Sequence, residues 1–425
     1  MRIAYVIPAW PPQPSQPFVV NEMIEVQRAG HELVVVPLYP LAEAAVRHGT
    51  YDALRPVAVL PTRLIDGGTV LSALATVLRH PVRTLRTLGG LHATAGRHLW
   101  QHVRLAAITP KALAAARRLR ALGVGHVHAH FANQTADCAA IAGSVAGIPF
   151  SFTAHAYDIY STDPKLVNAT LPWKLRHARR AFTVSRYAAG LLRALLPASE
   201  HERVQVAYVG IPTSLFRFEA LPAGDRPLRL LCVARFQEKK GLDTLVDACA
   251  RLRDRGLLFQ LRMFGDGPLR PALAAQIAAL GLGELVHLGQ PIPQEAVAAE
   301  MRACHAFVMP CRRDRTGDMD GIPTVFMEAM ASGRPVVSCA VSGVPELVRD
   351  GETGLIVPPD DPDALADAVV RLAADGALRE RLARAGRALV ERQHDQAQNA
   401  RRVVALLAAG GDRTDPALAA RAAGA

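Results

Sequence analysis

The sequence predicts an α/β protein made of two doubly wound domains, each with a parallel sheet between helices. Two observations support this fold class. Short apolar runs alternate with longer helical patterns along most of the chain, an order that is typical of parallel sheets with crossover helices. The chain has 425 residues, and 50% of them are apolar, which is enough to bury two hydrophobic cores.

The first domain is predicted to cover residues 1–215. A strand over residues 2–7 leads through a proline-rich loop into a helix from Phe18 to Ala29, and the next strand covers residues 31–37. Further strands are expected within 126–132, 149–158 and 182–185. The segments at 126–132 and 149–158 carry histidines, and His155 would emerge at the ligand-binding edge of the sheet.

The second domain is predicted to cover residues 216–390, after a linker at 221–227 that contains proline, glycine and charged residues. Its strands are expected at 228–233, 261–264, 286–289 and 306–310. Alanine-rich helices follow from Pro362 to about Ala408. The small, polar tail at 410–425 is expected to be disordered.

The segment from 316 to 359 carries the most specific chemistry. A proline and a glycine bound a helix predicted over residues 324–332. Gly321 allows another molecule to approach the backbone, and the free amides at this helix start can bind an anion. Asp320 and Glu328 place two carboxylates around the same helix end. The pattern predicts a ligand that carries both phosphates and hydroxyls.

Composition limits the classes of function. The sequence has no apolar run of about 18 residues, and the apolar stretch at its start is too short for a signal peptide, so we expect a cytoplasmic protein. Six cysteines show no metal-binding spacing, so we expect buried thiols and no metal site. The formal net charge is +11, and no acidic residue lies between Asp66 and Asp137, which favours an anionic partner.

The basic segment at 79–120 is predicted to form short helices, because Pro81 and the glycine pair at 89–90 interrupt it. Apolar residues lie beside the arginines at helical spacing. They are Val82, Leu85 and Leu88 in one helix and Leu99, Trp100 and Val103 in another. Such faces fit an anionic lipid surface, and they equally fit core helices with a solvated basic side. Both alternatives remain open at this point.

The motif in the second domain resembles that of family 4 retaining glycosyltransferases, which have the GT-B fold. The residues that carry the resemblance are Asp320, Glu328, Ala331, Gly333, Pro335, Val336, Val337, Gly343 and Glu346. Those enzymes have glutamate in place of Asp320, a difference that keeps the charge and shortens the side chain by one methylene. The loop at 15–23 resembles a loop of colanic-acid-type exopolysaccharide glycosyltransferases. The resemblance implies two Rossmann-like domains facing a cleft, with a helix at 391–409 that crosses back to the first domain.

The resemblance also implies the roles of individual residues. The expected catalytic residues are His155, which faces the donor sugar, Asp320, which contacts the hexose, and Arg235 and Lys240, which neutralise the leaving diphosphate. The expected donor-binding residues are Gly265, Gly267, Gly321, Ile322, Pro323, Thr324 and Glu328, the last of which holds the ribose hydroxyls. The expected acceptor-binding residues are Ser15, Asn21, Glu22, His130 and Asp158.

The implied function is the retaining transfer of a hexose from a UDP- or GDP-sugar, without a metal or cofactor. The acceptor would be a glycan or an undecaprenyl-diphosphate-linked saccharide of exopolysaccharide synthesis. The enzyme would be cytoplasmic or peripheral on the inner face of the cytoplasmic membrane, with an anionic membrane surface as a partner. Two alternatives use the same fold, a nucleotide-sugar epimerase and an inactive scaffold subunit. Nucleic acid is not expected as a partner, because no recognition motif accompanies the basic segment.

Overall fold

The computed structural model describes residues 1–10, 16–39, 54–60, 66–222 and 227–408. Its strands form two sheets of seven and six strands. The first sheet consists of β1 (Arg2–Ala9), β2 (Glu32–Tyr39), β3 (Ala58–Val59), β4 (His126–His130), β5 (Phe150–Ala154), β6 (Arg180–Thr183) and β7 (Val204–Val206). The second consists of β8 (Leu228–Val233), β9 (Phe259–Phe264), β10 (Val286–Gly289), β11 (Ala306–Val308), β12 (Val336–Cys339) and β13 (Gly354–Val357).

The helices lie between successive strands and cover both sheets. The first eight are α1 (Pro17–Arg28), α2 (Gly67–Arg79), α3 (Pro81–Ala95), α4 (Leu99–Ala121), α5 (Gln134–Ala146), α6 (Tyr157–Tyr160), α7 (Leu171–His177) and α8 (Arg186–Arg193). The others are α9 (Leu242–Asp254), α10 (Arg270–Ala279), α11 (Gln294–Ala303), α12 (Thr324–Ala331), α13 (Val344–Leu347), α14 (Pro362–Ala374), α15 (Gly376–Gln393) and α16 (Gln396–Ala408).

Both sheets are parallel and doubly wound. Their strand orders are β3-β2-β1-β4-β5-β6-β7 and β10-β9-β8-β11-β12-β13. In each sheet the first strand along the chain, β1 or β8, lies in the interior. The chain adds strands first on one side of it and then on the other, so the direction of winding reverses there. Ligands of α/β sheets bind beyond the carboxyl ends of the strands at this reversal. The predicted fold class is confirmed.

The last helix returns to the first sheet. Val403 and Leu407 of α16 pack with Phe182 and Ala207 of the first domain, and Val404 joins the core beneath β1 and α1. Burial of these apolar side chains stabilises the crossing. The predicted boundaries of the domains stay a prediction, and residues 223–226 of the linker and the tail at 410–425 lie outside the described residues.

The basic segment is divided at Pro81 as predicted, because α2 ends at Arg79 and α3 begins at Pro81, but it differs from the prediction at the glycine pair. The glycine pair at 89–90 does not interrupt it, because α3 runs through both residues. A Cβ atom at Gly90 would lie 2.3 Å from Nε1 of Trp173, so this glycine permits the close packing of α3 on α7. Lys111 is also buried, and its ammonium donates to the carbonyl oxygens of Pro37 and Leu38. None of the described helices is both long and apolar enough to span a bilayer.

Candidate active site between the two sheets

The two predicted site motifs contact each other where the carboxyl edges of the sheets meet. His155 directly follows β5, and Gly321 lies in the loop before α12. A Cβ atom at Gly321 would lie 2.9 Å from the carbonyl oxygen of His155. A residue with a side chain would therefore push the domains apart at this point. The close approach explains the glycine and places the catalytic candidates of both domains around one cleft.

Polar contacts hold the domains together beside this point. The carboxylate of Glu346 in α13 accepts hydrogen bonds from the amides of Arg186 and Tyr187 at the start of α8, both at 2.9 Å, and from the Tyr208 hydroxyl at 2.8 Å. A carboxylate at a helix N-terminus is stabilised by the free amides and by the helix dipole. Glu346, which the sequence placed only in a motif, is thus a link between the domains.

A cluster of two lysines and two aspartates lies on the second-domain side of the cleft. Lys240 donates to Asp320 at 2.5 Å, and Lys239 donates to Asp318 at 2.8 Å while its ammonium lies 3.4 Å from Asp320. Burial disfavours the Asp320 charge, but Lys240 and then Lys239 outweigh burial and lower the pKa of Asp320. Likewise, burial opposes the charge on Lys239, but Asp320 and Asp318 raise its pKa. Asp320 and Lys239 are therefore charged at neutral pH.

Arg235 is an exposed cation of this region. It lies in the loop after β8, close enough to Lys239 for their charges to repel. The glycine turn after β9 packs on the same loop, because a Cβ at Gly265 would lie 1.8 Å from the carbonyl oxygen of Ala234. Gly267 has φ +153°, which favours glycine. The predicted donor-side cation and the predicted glycine turn are therefore neighbours.

Glu328 lies in α12, just after the helix start. Pro323 is the N-cap residue of α12 rather than its first residue, and no side chain caps the helix. The first-turn amides thus receive no side-chain acceptor, which suits an anion. Burial raises the pKa of Glu328 to about 7, an effect that a hydrogen bond with Gln294 reduces. No described basic residue forms an ion pair with Glu328.

The acceptor-side residues lie around a pocket between α1, the ends of β4 and β5, and α16. Asn21, Glu22, His130 and His155 all line this pocket. Ser15 lies outside the described residues. His130 Nδ1 is 3.2 Å from His155 Nε2, so the strand-end histidines of β4 and β5 are joined directly.

Asp158 has a different position from the one expected of an acceptor ligand. Its carboxylate accepts from the amides of Ala132 at 2.6 Å, His155 at 3.0 Å and Ala156 at 2.7 Å. The side chain is buried. Asp158 therefore fixes the loops after β4 and β5 and positions His155.

The residue after β4 has an unusual backbone conformation. Phe131 has φ +72°, which is uncommon for a large side chain and is found where surrounding structure enforces it. The centroid of its ring lies 4.6 Å from the centroid of the His155 ring. The ring of Phe18, which belongs to α1, lies 4.7 Å from the His155 ring on the same measure. Burial, followed by the charge of His130, lowers the pKa of His155 well below its usual value. The imidazole is neutral at neutral pH.

Sequence reasoning missed several of these residues. Lys239 and Asp318 were not predicted, although the adjacent lysines at 239–240 and the aspartates at 318 and 320 were a signal that two such pairs could form. Tyr208 had no local signal, because it reaches Glu346 only through the docking of the domains.

Comparisons with known proteins agree with this geometry. Residues 227–375 match the family described as Glycosyl transferases group 1. The chain is 36% identical over 183 residues to the Putative colanic acid biosynthesis glycosyltransferase WcaL of Salmonella typhimurium, covering 43% of this chain and 45% of that protein. It is 29% identical over 395 residues to the Amylovoran biosynthesis glycosyltransferase AmsK of Erwinia amylovora, covering 91% of this chain and 94% of that protein. It is 31% identical over 294 residues to the Alpha-D-kanosaminyltransferase of Streptomyces kanamyceticus, covering 63% of this chain and 72% of that protein.

Solved structures with the same fold include a Glycosyltransferase from Rickettsia africae, with a TM-score of 0.70 and 13% identity over 97% of this chain and 99% of that chain. Anabaena Alr3699/HepE in complex with UDP also has a TM-score of 0.70, with 16% identity over 96% of this chain and 100% of that chain. These likenesses confirm the GT-B arrangement of two Rossmann-like domains.

Proposed function

Because the chain belongs to the group 1 family of glycosyl transferases, we propose that it transfers a hexose from a nucleotide-sugar to a saccharide acceptor with retention of configuration. The relatives named for colanic acid and amylovoran biosynthesis support an acceptor that belongs to an exopolysaccharide. The contact between Gly321 and the His155 carbonyl carries the proposal, because it joins the donor-side motif of one domain to the strand-end histidines of the other.

The nucleotide-sugar would bind in the second domain. Arg235 and Lys240 would bind its diphosphate, together with the amides at the start of α12. Lys239 and Lys240 are balanced by Asp318 and Asp320, so Arg235 supplies the positive charge that attracts the diphosphate. The Glu328 carboxylate would accept hydrogen bonds from the ribose hydroxyls. The UDP complex of the structural relative supports a uridine nucleotide as the first donor to test.

The transfer step requires charge stabilisation at the leaving group. The bond between the anomeric carbon and the β-phosphate oxygen breaks, the acceptor oxygen bonds to the same face of that carbon, and the acceptor proton passes to the leaving phosphate oxygen. Lys240 and Arg235 would stabilise the negative charge that develops there. Asp320 lies 2.5 Å from the Lys240 ammonium and 3.4 Å from the Lys239 ammonium. A carboxylate held in this way is suited to orient Lys240 and the hexose, and it is less suited to act as a nucleophile.

Turnover measurements test this proposal. Purified protein is incubated with radiolabelled UDP- and GDP-sugars and with bacterial lipid extract, and transfer into the organic phase is followed. We expect transfer from one donor, and we expect Lys240→Ala and Glu328→Ala to reduce it by more than about tenfold. The exposed Glu352→Ala serves as a control. Near-normal rates in both site variants would overturn the proposal, and conversion of the donor without an acceptor would support an epimerase.

We further propose that the acceptor is presented at a membrane, because α2 and α3 expose apolar residues and bury polar ones. Leu78 is 82% exposed and Leu85 is 75% exposed, whereas Thr76 and Thr84 are buried. The hydroxyls of both threonines donate to carbonyl oxygens one turn earlier. This pattern is the reverse of the usual one for a helix on a water-exposed surface.

The same region continues on α4 and is basic. Leu99 is 71% exposed, and Trp100 and Val103 are half exposed. The exposed arginines next to these residues are Arg79, Arg83, Arg86 and Arg97. Apolar side chains between arginines suit an anionic lipid surface, because the apolar side chains insert into the lipid and the arginines pair with the headgroups. A lipid-linked acceptor would then reach the cleft from the surface to which α2, α3 and α4 bind.

Co-sedimentation with vesicles tests the membrane proposal. We expect binding to vesicles with phosphatidylglycerol, weaker binding to pure phosphatidylcholine, and loss of binding at high salt. The double variant Leu78→Glu with Leu85→Glu should bind at least about tenfold less, because each leucine loses its apolar transfer energy. Leu258→Glu changes a leucine that is 60% exposed in the second domain and should bind normally. Equal binding by all three proteins would contradict the proposal.

A further inference from the structure

Three side chains at the acceptor pocket converge on one point, the two histidines buried and the glutamate partly buried. Glu22 comes from α1, and His128 and His130 come from β4. One oxygen of the carboxylate and one nitrogen of each ring all lie within 4.8 Å of one another. The transfer step proposed above uses none of these three atoms.

Glu22 Oε1 lies farther from the two Nε2 atoms than in a hydrogen bond, at separations that fit ligands of one metal ion. Glu22 Oε1 lies 3.4 Å from His130 Nε2 and 3.7 Å from His128 Nε2, whereas an N–H···O hydrogen bond measures about 2.7–3.2 Å. Two ligands of a tetrahedral zinc ion, with bonds of about 2.0–2.1 Å, lie about 3.3 Å apart. Within the part of the chain that the structure describes, the buried His130 Nε2 has no hydrogen-bond partner.

The Nδ1 side of each histidine ring is held in place. His128 Nδ1 is 2.7 Å from the Ser151 hydroxyl, and His130 Nδ1 is 3.2 Å from Nε2 of His155. The Tyr5 hydroxyl donates at 2.8 Å to Glu22 Oε1, the oxygen that faces both histidines. Metal-binding histidines are usually oriented in this way, by a hydrogen bond from the ring nitrogen that does not bind the metal. These bonds turn the Nε2 atoms of both rings towards Glu22. His128 Nε2 also lies 3.1 Å from the Thr153 hydroxyl oxygen, a hydrogen bond that a metal ion would replace.

We propose that Glu22, His128 and His130 bind a divalent transition-metal ion of the zinc type. Two imidazole nitrogens and a carboxylate oxygen are a known ligand set for zinc. Glu22 and His130 also line the pocket, so the remaining coordination position is open to a small ligand from there. The ion ties α1 to β4 and, through His130, holds the ring of His155. In this role Glu22 and His130 position the acceptor side of the cleft and do not bind the acceptor directly.

Equilibrium binding of Zn²⁺ tests the site. Untagged full-length protein is stripped with a chelator and titrated with Zn²⁺ in competition with a chromophoric chelator. We expect about one tightly bound ion per chain and a rise in melting temperature on binding. Glu22→Gln and His130→Gln should weaken binding by about 100-fold or more, because each removes a ligand. His287→Gln changes an exposed histidine of the second domain and should bind as the wild type does.

Co²⁺ gives a second measurement that does not depend on activity. Bound at this site, it should produce visible absorption bands that disappear in His130→Gln. The proposal is overturned if Zn²⁺ does not raise the melting temperature of the wild-type protein and the protein does not compete with the chelator for Zn²⁺. This outcome is decisive even if the variants fail to fold. Equal affinity in wild type and folded His130→Gln would mean an adventitious ion only and would overturn the proposal.

Discussion

Glu328→Gln should make the protein more stable and weaken donor binding, and the gain in stability should depend on pH. Burial raises the pKa of Glu328 from 4.5 to about 7. The folded protein therefore keeps a proton on this group that the unfolded chain loses. Between pH 4.5 and 7 the free energy of unfolding falls as pH rises, and the loss is complete above pH 7. Glutamine carries no charge and avoids this loss.

The size of the effect follows from the two pKa values. A shift of one pKa unit corresponds to about 1.4 kcal/mol, so the shift from 4.5 to about 7 amounts to at most about 3 kcal/mol at pH 8. At pH 5 the same pKa values give about 1 kcal/mol. The stability difference between variant and wild type should therefore grow by up to about 2 kcal/mol from pH 5 to pH 8. Partial exposure of the side chain makes this an upper bound.

Urea unfolding of nucleotide-free protein at pH 5 and pH 8 measures this difference, with the exposed Glu352→Gln as a control. Calorimetry with the preferred nucleotide-sugar measures binding, and loss of a charge-assisted hydrogen bond should weaken it by about 1.5–3 kcal/mol. A stability difference that is the same at both pH values would refute the raised pKa. Unchanged donor affinity would refute contact with the ribose.

Three further predictions concern other parts of the structure. Asp137→Asn should destabilise the first domain by about 3–5 kcal/mol in urea unfolding, because Lys174, bonded to Asp137 at 2.7 Å, would be left buried and charged; a loss below about 1 kcal/mol would contradict this account. Gly265→Ala should weaken nucleotide binding in calorimetry by more than about tenfold, because its Cβ would overlap the Ala234 carbonyl, and normal affinity would argue against contact between this turn and the donor. Glu346→Gln should lower the melting temperature and expand the molecule in small-angle scattering, because the α8 amides lose a charged acceptor; an unchanged scattering profile would show that this link does not hold the domains.

Local sequence patterns were sufficient to predict the bounds of strands that are buried in a sheet and of a helix that has clear end signals. The strands predicted at 228–233 and 286–289 are β8 and β10 with the same bounds. The predicted helix of the donor motif ends within one residue of α12. The glycine pair at 89–90 shows the limit of this reasoning, because packing on Trp173 outweighs the low helix propensity of glycine.

The resemblance named candidate site residues one by one, but it did not give their partners. His155, Gly321 and Glu328 were each predicted from their own segment. The pairing of Lys239 with Asp318 and of Lys240 with Asp320 depends on how the loop after β8 meets the loop before α12. The inward position of the Asp158 carboxylate depends in the same way on the loops after β4 and β5.

The sequence by itself determined the α/β class, the two sheets and the family motif, because alternating apolar runs, helix caps and glycine turns act over a few residues. Only the tertiary structure decided which charges are paired, which leucines are exposed and where three ligand atoms converge. Glu22 and His130 are far apart in the chain and become neighbours only when α1 packs on the sheet beside β4. Such distances follow from the packing of whole elements, which short-range patterns do not specify.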